Sequence, residues 1–560
     1  MVRYPIIFSN FILVYFKTLI IFFLGLFTFI YAPSPRFLYA QEEDFSSLSS
    51  FAGLPEFPAQ TSEETQIVVS EFRVTGNTVI ATEIIQQVLQ PYQQRSYTLT
   101  SLQEVANILT SYYSEQGYLL ARVILPPQEV LNGVVQLQVM EGLLQDITIT
   151  GTERYRESWI RRAFTKVTSE KDTVIHQQSF EKIMLLLNDL PAVKITSEFH
   201  PGKNRGTADL AVTVSEQRPW NASVEVNTLG SEVVSQERTI LSADRANFTG
   251  LGDILSLRVV KSLLNNSLLF GRLGYTIPIH ESGTRFSAYF SNGDFEIEPN
   301  FSTLGVLGGT LSSAGFSFSQ PLIRSRTRNL YLELGLDSKD TKPEGLSGLV
   351  NSDDRIRSLK IGTSCAISGI ERYSSYLFTI NQGLGDNLGG LKNNDPRSSR
   401  AASGADNNFT YFTMNASVTQ KLSPRITVIG RGSGQFSTRS LVSGEQFFIG
   451  GSGSVRGYPP SEFVGDNGLN LGLEGRMSLL RDPRQDWAQL SLFLDYGMTQ
   501  IKEPATGQKS SANILGTGLG FQGVLPYKLE YRLEAGFPLG SPEPTSGDKV
   551  TYYLQIVKRF

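Results

Sequence analysis

The chain has 560 residues, with 53 acidic and 50 basic side chains, one cysteine and three histidines. A net charge of −3 gives no basic field for nucleic acid. Cys365 alone excludes an intramolecular disulfide framework or a cysteine-rich zinc site, and His176, His200 and His280 lie too far apart for metal-ligand spacing. Charged residues are 18% of the chain, against ~25% in soluble domains. Glycine and aromatic residues are plentiful. This mixture favours a large β-protein.

Residues 1–40 read as a signal peptide. Arg3 and Lys17 precede an apolar run, Leu19 to Ala32, too short to span a bilayer comfortably, and Ala40 is a cleavage point. The competing reading is an uncleaved anchor. No later stretch is apolar for long enough to span as a helix, so an exported chain without a membrane-spanning helix is expected. Residues 41–66 contain Ser, Glu, Pro55 and Pro58 without periodicity and read as a linker.

Two copies of one unit follow, at 67–141 and 142–216. The first opens with a strand, Val68 to Thr75, ending in Gly76-Asn77-Thr78. A helix near Ala81–Leu89 comes next. A second helix, Leu102 to Glu115, is expected behind a Thr100-Ser101 cap, with Leu102, Val105, Ala106, Leu109 and Tyr113 on one face. Strands Leu119–Ile124 and Val134–Met140 close the unit. The second copy repeats this order: strand Leu144–Thr150, helices near Ser158–Phe164 and Ser179–Leu190, strands near Val193–Phe199 and Ala208–Val214. Each is a small α+β domain with helices on one face of a sheet.

Past Gln217-Arg218-Pro219, helical periodicity gives way to alternation of period two over residues 217–560. Leu330, Leu332, Leu334 and Leu336 oppose Tyr331, Glu333, Gly335 and Asp337. Leu471, Leu473 and Met477 oppose Glu474 and Arg476, and Leu529, Tyr531 and Leu533 oppose Glu530, Arg532 and Glu534. A soluble sandwich also alternates. The conjunction of an export signal, many such strands and a terminal strand ending in Phe560 favours an all-β transmembrane barrel, apolar outside and polar within. At roughly 21 residues per strand and connection, about 16 antiparallel strands are expected.

No nucleophile elbow, P-loop, H-E-x-x-H or paired-carboxylate motif occurs, so neither an enzyme nor a cofactor is expected. The segment Gly450-Gly451-Ser452-Gly453-Ser454-Val455-Arg456-Gly457-Tyr458-Pro459-Pro460 reads as a loop folded back on itself. Alternation points Asp495, in Phe493-Leu494-Asp495-Tyr496-Gly497, and Glu474 into the lumen. An inward Arg456 could clamp both carboxylates; a solvated surface arginine is the plainer alternative.

Two such units before a barrel with a Val-Arg-Gly-Tyr loop resemble the outer-membrane transporters of two-partner secretion, within the POTRA-barrel superfamily. The likeness runs from about residue 67 to Phe560. It includes Gln435, Glu445, Phe447, Gly450 and Gly451 leading into Val455 to Tyr458, the pattern Phe493, Asp495, Gly497, Trp220 at the barrel's opening, Asn247 with Gly250 to Asp253, and Tyr275-x-Ile277-Pro278. The resemblance implies an outer-membrane location with periplasmic POTRA domains at 67–141 and 142–216. It also implies ATP-free export of an unfolded adhesin or haemolysin-like exoprotein caught by those domains, and a Phe560 read by the barrel-assembly machinery. It carries the loop contact to Arg456 and Asp495, with Glu474 as a second acceptor. In a partly water-filled lumen such a hydrated pair is expected to contribute only ~1 kcal/mol. The alternative is an insertase that builds other barrels. Residues 41–65 leave too little chain for a plug helix and a linker, so the loop is expected to be the main obstruction.

Overall fold

The structure is a computed structural model and describes residues 66–164, 174–265, 267–297, 306–345, 352–480 and 487–560. The expected signal peptide and the linker up to Thr65 lie outside the described residues.

The first unit comprises β1 (Ile67–Val69), β2 (Glu71–Thr75), α1 (Thr82–Leu89), β3 (Arg95–Tyr97), α2 (Leu99–Glu115), β4 (Arg122–Ile124) and β5 (Val134–Met140). β2 and β4 flank β5, parallel and antiparallel to it, while β1 and β3 form a separate ladder. The expected first strand is broken at Ser70, whose N–H and hydroxyl turn aside to the carbonyls of Gly133 and Asn132. β3 is too short to show a period. Helix α2 starts earlier than expected because Thr98 is the cap: its hydroxyl accepts from the Ser101 N–H and its own N–H donates to the Ser101 hydroxyl, so Ser101 lies inside the helix. The apolar face read from sequence, Leu102 to Tyr113, is fully buried against Phe72, Val135 and Leu137.

The second unit comprises β6 (Leu143–Thr150), α3 (Glu157–Ala163), α4 (Gln177–Asn188), β7 (Val193–Pro201) and β8 (Thr207–Glu216), with β8 central. The repeat shows in matched details. Gly76 and Gly151 both have positive φ, and a Cβ on either would strike a carbonyl, of Val139 and Val214 respectively. Glu141, one residue past β5, and Glu216, the last of β8, accept backbone N–H groups from the turns after those glycines. The units join through His176, whose ring stands at 87° to Tyr118 with centroids 5.4 Å apart, and through the Gln177 N–H on the Gly117 carbonyl.

Glu216 gives a pH prediction. Burial alone would raise its carboxyl, but the N–H groups of Tyr155, Arg154 and Glu153 and the Arg154 guanidinium bond the charged form and hold it below the usual carboxylate range. A depressed folded value stabilises above the unfolded carboxylate range, and that stability is lost as pH falls through the folded value. Unfolding of this unit in the full chain, followed by Trp159 fluorescence in a Trp220→Phe, Trp487→Phe background, should therefore weaken in acid. Glu216→Ala should flatten that part of the profile; an unchanged profile would count against it.

From Trp220 to Arg559, sixteen antiparallel strands form a closed barrel, each paired to its neighbours in sequence, with Thr551–Arg559 closing on Trp220–Asn227. Strand Gln489–Gln500 shows what surrounds it: Leu490, Leu492 and Leu494 are 41, 70 and 47% exposed, whereas Ser491, Phe493 and Asp495 are 3, 3 and 2% exposed. Leucines outside and a carboxylate inside invert the pattern of a soluble sandwich and suit a hydrocarbon surround.

The second unit rests on the near-end turns of this barrel. Arg324 forks onto the Asp189 carboxylate at 2.7 and 2.6 Å, Arg285 donates to the Asp189 carbonyl at 3.0 Å, and the Arg156 N–H reaches the Gly250 carbonyl at 2.9 Å. The turn holding Gly250 is shaped by Asp253, which accepts from the Thr249 N–H and hydroxyl and the Tyr275 hydroxyl, while Asn247 accepts from the Gly252 N–H. The motif residues Asn247 to Asp253 and Tyr275 thus build a platform for the second unit.

Candidate functional site

Between strands Ile426–Ser437 and Asn467–Ser478 the chain leaves the barrel wall and folds back into the lumen. A short ladder of Phe447–Ile449 with Phe463–Gly465 stiffens the loop's two arms. Its root is fixed by Glu445, which accepts from the Lys339 ammonium at 2.7 Å and the Tyr411 hydroxyl at 2.6 Å, and by the Gln435 amide on the Glu445 carbonyl at 2.9 Å. Gly450, Gly451 and Gly457 have φ of +109°, +83° and +100°, which lets the arms turn back on themselves.

At the tip, Val455, Arg456, Gly457 and Tyr458 are all buried. Val455 and Tyr458 pack with Ile449 and Ile514 in a small apolar core inside the barrel. Arg456 bonds Asp495 through two guanidinium nitrogens, Nε to Oδ2 at 2.7 Å and Nη2 to Oδ1 at 3.0 Å. Its backbone N–H also faces Oδ2 at 3.3 Å. Nη1 reaches Glu474 at 3.2 Å and Glu534 at 2.9 Å. The guanidinium carbon lies 3.4 Å from the centre of the Phe493 ring, a stacked cation–π contact. The Gly457 N–H donates to the Tyr553 hydroxyl at 3.0 Å, its carbonyl accepts from Thr551, and the Tyr458 hydroxyl donates to the Pro542 carbonyl at 3.1 Å.

The structure thus brings Arg456, Asp495, Glu474 and Phe493 together on one wall. Gly497 has its place too, since a Cβ there would press within 2.8 Å of Val455. The environment corrects one expectation. The pair is dry, not hydrated: both side chains are 3% exposed. Phe493 and the apolar tip residues exclude water, so the ~1 kcal/mol scale of a solvated pair does not apply.

Two features were not found in the sequence. Glu534 is a third carboxylate on Arg456; its inward parity is legible, its nearness to the tip is not. Gly516 and Gly536 hollow the wall: a Cβ on Gly516 would strike the Arg456 carbonyl, and one on Gly536 would lie 2.5 Å from the Gly457 nitrogen. Glycine inside a strand marks such a close backbone approach, and the run Gly516-Thr517-Gly518-Leu519-Gly520 carried that signal. Phe560 is far from this site. Its N–H donates to the Ala222 carbonyl at 2.9 Å across the barrel's closing seam, and its ring is exposed. Among the described residues no cluster of His, Cys, Asp or Glu could hold a metal ion.

A sixteen-strand barrel with leucines on its outside, a lumen occupied by a folded-back loop and paired α+β units docked at one end are together the build of an outer-membrane transporter. The chain belongs to the haemolysin secretion/activation family ShlB/FhaC/HecB, whose model matches residues 206–523, and a ShlB-type POTRA model matches residues 67–142. The heme/hemopexin transporter protein HuxB of Haemophilus influenzae strain 86-028NP is 24% identical over 534 residues, covering 94% of this chain and 93% of the relative. The outer membrane transporter CdiB of Dickeya dadantii is 25% identical over 445 residues, covering 76% and 75%. Among solved structures, CdiB from Escherichia coli has TM-score 0.70 at 21% identity, covering 91% of this chain and 93% of that one. BamA from Haemophilus ducreyi lacking POTRA domains 1–3 shares the fold at TM-score 0.53 and 15% identity, covering 88% and 100%. The protein is therefore an outer-membrane transporter of the two-partner secretion class, with its POTRA region in the periplasm.

Proposed function

We propose that this transporter catches an unfolded exoprotein of adhesin or haemolysin type on its periplasmic domains and passes it through the barrel without ATP, past a loop whose resting place is set by Arg456. The observation that carries the reading is that loop: seated in the lumen, held by a dry Arg456–Asp495 pair, in a barrel preceded by two small sheets with edge strands. Edge strand β7 is occupied at Ile195, where the Asn188 amide takes both its N–H and carbonyl. Beyond Ser197 its outer side pairs with no other strand among the described residues, which suits addition of an extended segment. We divide the chain into signal peptide (1–40), linker (41–66), POTRA 1 (67–141), POTRA 2 (142–216) and barrel (217–560). The proposal includes no catalytic activity and no cofactor.

The test is binding. The cargo to test first is any large repeat-rich exoprotein found to be encoded beside this gene. Its unfolded N-terminal segment should bind residues 67–216 on a solid phase, and the barrel alone should not; equal binding by the barrel would overturn the reading. An insertase would instead be essential for viability.

Outer-membrane lipid covers the leucine rows in this proposal, and the barrel-assembly machinery reads Phe560. The closing seam has five paired residues, from Gln555 with Asn227 to Arg559 with Ser223, so the Phe560 N–H is a useful addition to it. Deleting Phe560 should lower the amount of barrel in the membrane several-fold while the assembled fraction melts almost normally. Normal surface levels would count against this.

A further inference from the structure

The charges around Arg456 are arranged for release as well as for closure. Glu474 is bonded not only by Arg456 but by Arg476, at 2.6 Å, and lies 3.5 Å from Arg431. Glu534 is bonded by Arg532 at 2.7 Å. Arg476 and Arg532 each stand two residues along the same strand from the glutamate they bond, on the same face, as strand alternation requires. Asp495 differs. Among the described residues, each donor to its carboxylate belongs to Arg456.

The wall therefore carries three carboxylates and three arginines without the loop, and one surplus cation with it. A permanent lock would reach neutrality with Arg456 in place. This seat is neutral with Arg456 gone. The flanking arginines are also wetter than the latch: Arg431, Arg476 and Arg532 are 47, 25 and 28% exposed, against 3% for Arg456. They face the open lumen and need not move when the tip withdraws. A carboxylate left buried without a cation is the main cost of breaking a buried ion pair. Here two of the three keep a partner, and the third, Asp495, is wetted as the tip leaves.

We propose that Arg476 and Arg532, with Arg431 behind them, are positioning residues that make the loop latch reversible by competing with Arg456 for Glu474 and Glu534. The proposal rests on the transporter reading, since a pore that carries a polypeptide must clear its lumen. It makes a prediction of sign. If these arginines merely brace the wall, removing them loosens the loop. If they compete for the glutamates, removing them leaves the wall more negative and holds Arg456 tighter.

The test uses the full-length protein in the outer membrane, with Cys365→Ser and Ser454→Cys, so that a membrane-impermeant maleimide reports withdrawal of the tip. Single-channel conductance in KCl on the purified protein reports opening. Arg476→Gln with Arg532→Gln should slow labelling and lower open probability by roughly fivefold or more, the scale of one ion pair's change in strength. Arg476→Lys with Arg532→Lys should restore both. Unchanged or faster labelling in the glutamine variant, or a wild-type tip that never becomes labelled, overturns the proposal. Should the double variant not reach the membrane, each single glutamine variant is read by the same criterion. No exoprotein is needed, so failure here leaves the export reading standing, and normal loop release without export would refute only that reading.

Discussion

Arg456→Ala is expected to abolish export, or nearly so, while the barrel persists at normal levels in the outer membrane. The side chain makes two bonds to Asp495, one each to Glu474 and Glu534, and stacks on Phe493. Removing one partner from such a buried pair costs on the order of 3–5 kcal/mol, because a desolvated carboxylate is left behind. That cost falls on the seated state of the loop. The barrel is held by its own ladders, none of which Arg456 joins, so the loss appears as a displaced tip and a leaky pore, not as an unfolded protein. Arg456→Lys should be nearly as damaging. One ammonium cannot fork onto Asp495 and reach Glu534 together, and it stacks less well on Phe493. The measurements are secretion, barrel abundance and conductance of the same variants. Full export by Arg456→Ala would end the functional reading of the latch.

What could be read in advance follows from what alternation and turn chemistry encode. Period two fixes the parity of Glu474 and Asp495, and the glycines from Gly450 to Gly457 mark a loop that folds on itself. Those two facts place an arginine and two carboxylates in one lumen. They do not give depth, so the dryness of the pair was missed: it depends on Phe493 and Ile514, on two adjacent strands, closing over the tip. Nor do they say which strand faces the tip from the side. Glu534 approaches Arg456 from Leu529–Leu539, next but one to the strand of Asp495, and that adjacency exists only once the sheet has curled. In the POTRA units the long elements were legible because four or more turns or alternations average out noise. β3, three residues long, offers no average, and the cap of α2 moved because Thr98 and Ser101 bond each other's backbone, a local choice that composition does not rank.

Gly516→Ala should open the pore as fully as the loss of Arg456, by repulsion instead of lost attraction. Gly516 sits opposite Asp495 in the ladder and shares its inward face. A Cβ there would strike the Arg456 carbonyl and press within 3.2 Å of Val455. The obstacle is backbone, which cannot swing aside as a long side chain could, and overpacking of a closed site costs about 1–3 kcal/mol or more. The strand itself gains, since alanine loses less conformational entropy than glycine on ordering. The signature is therefore a barrel at least as resistant to heat as the wild type, combined with raised conductance and sensitivity to a large hydrophilic antibiotic. Gly430→Ala supplies the control: it too replaces a strand glycine, but nothing lies within 4 Å of the added carbon, so closure should be unaffected. A Gly516→Ala protein that closes like the wild type would show that the tip does not rest on this wall, and the latch at Arg456 would fall with it.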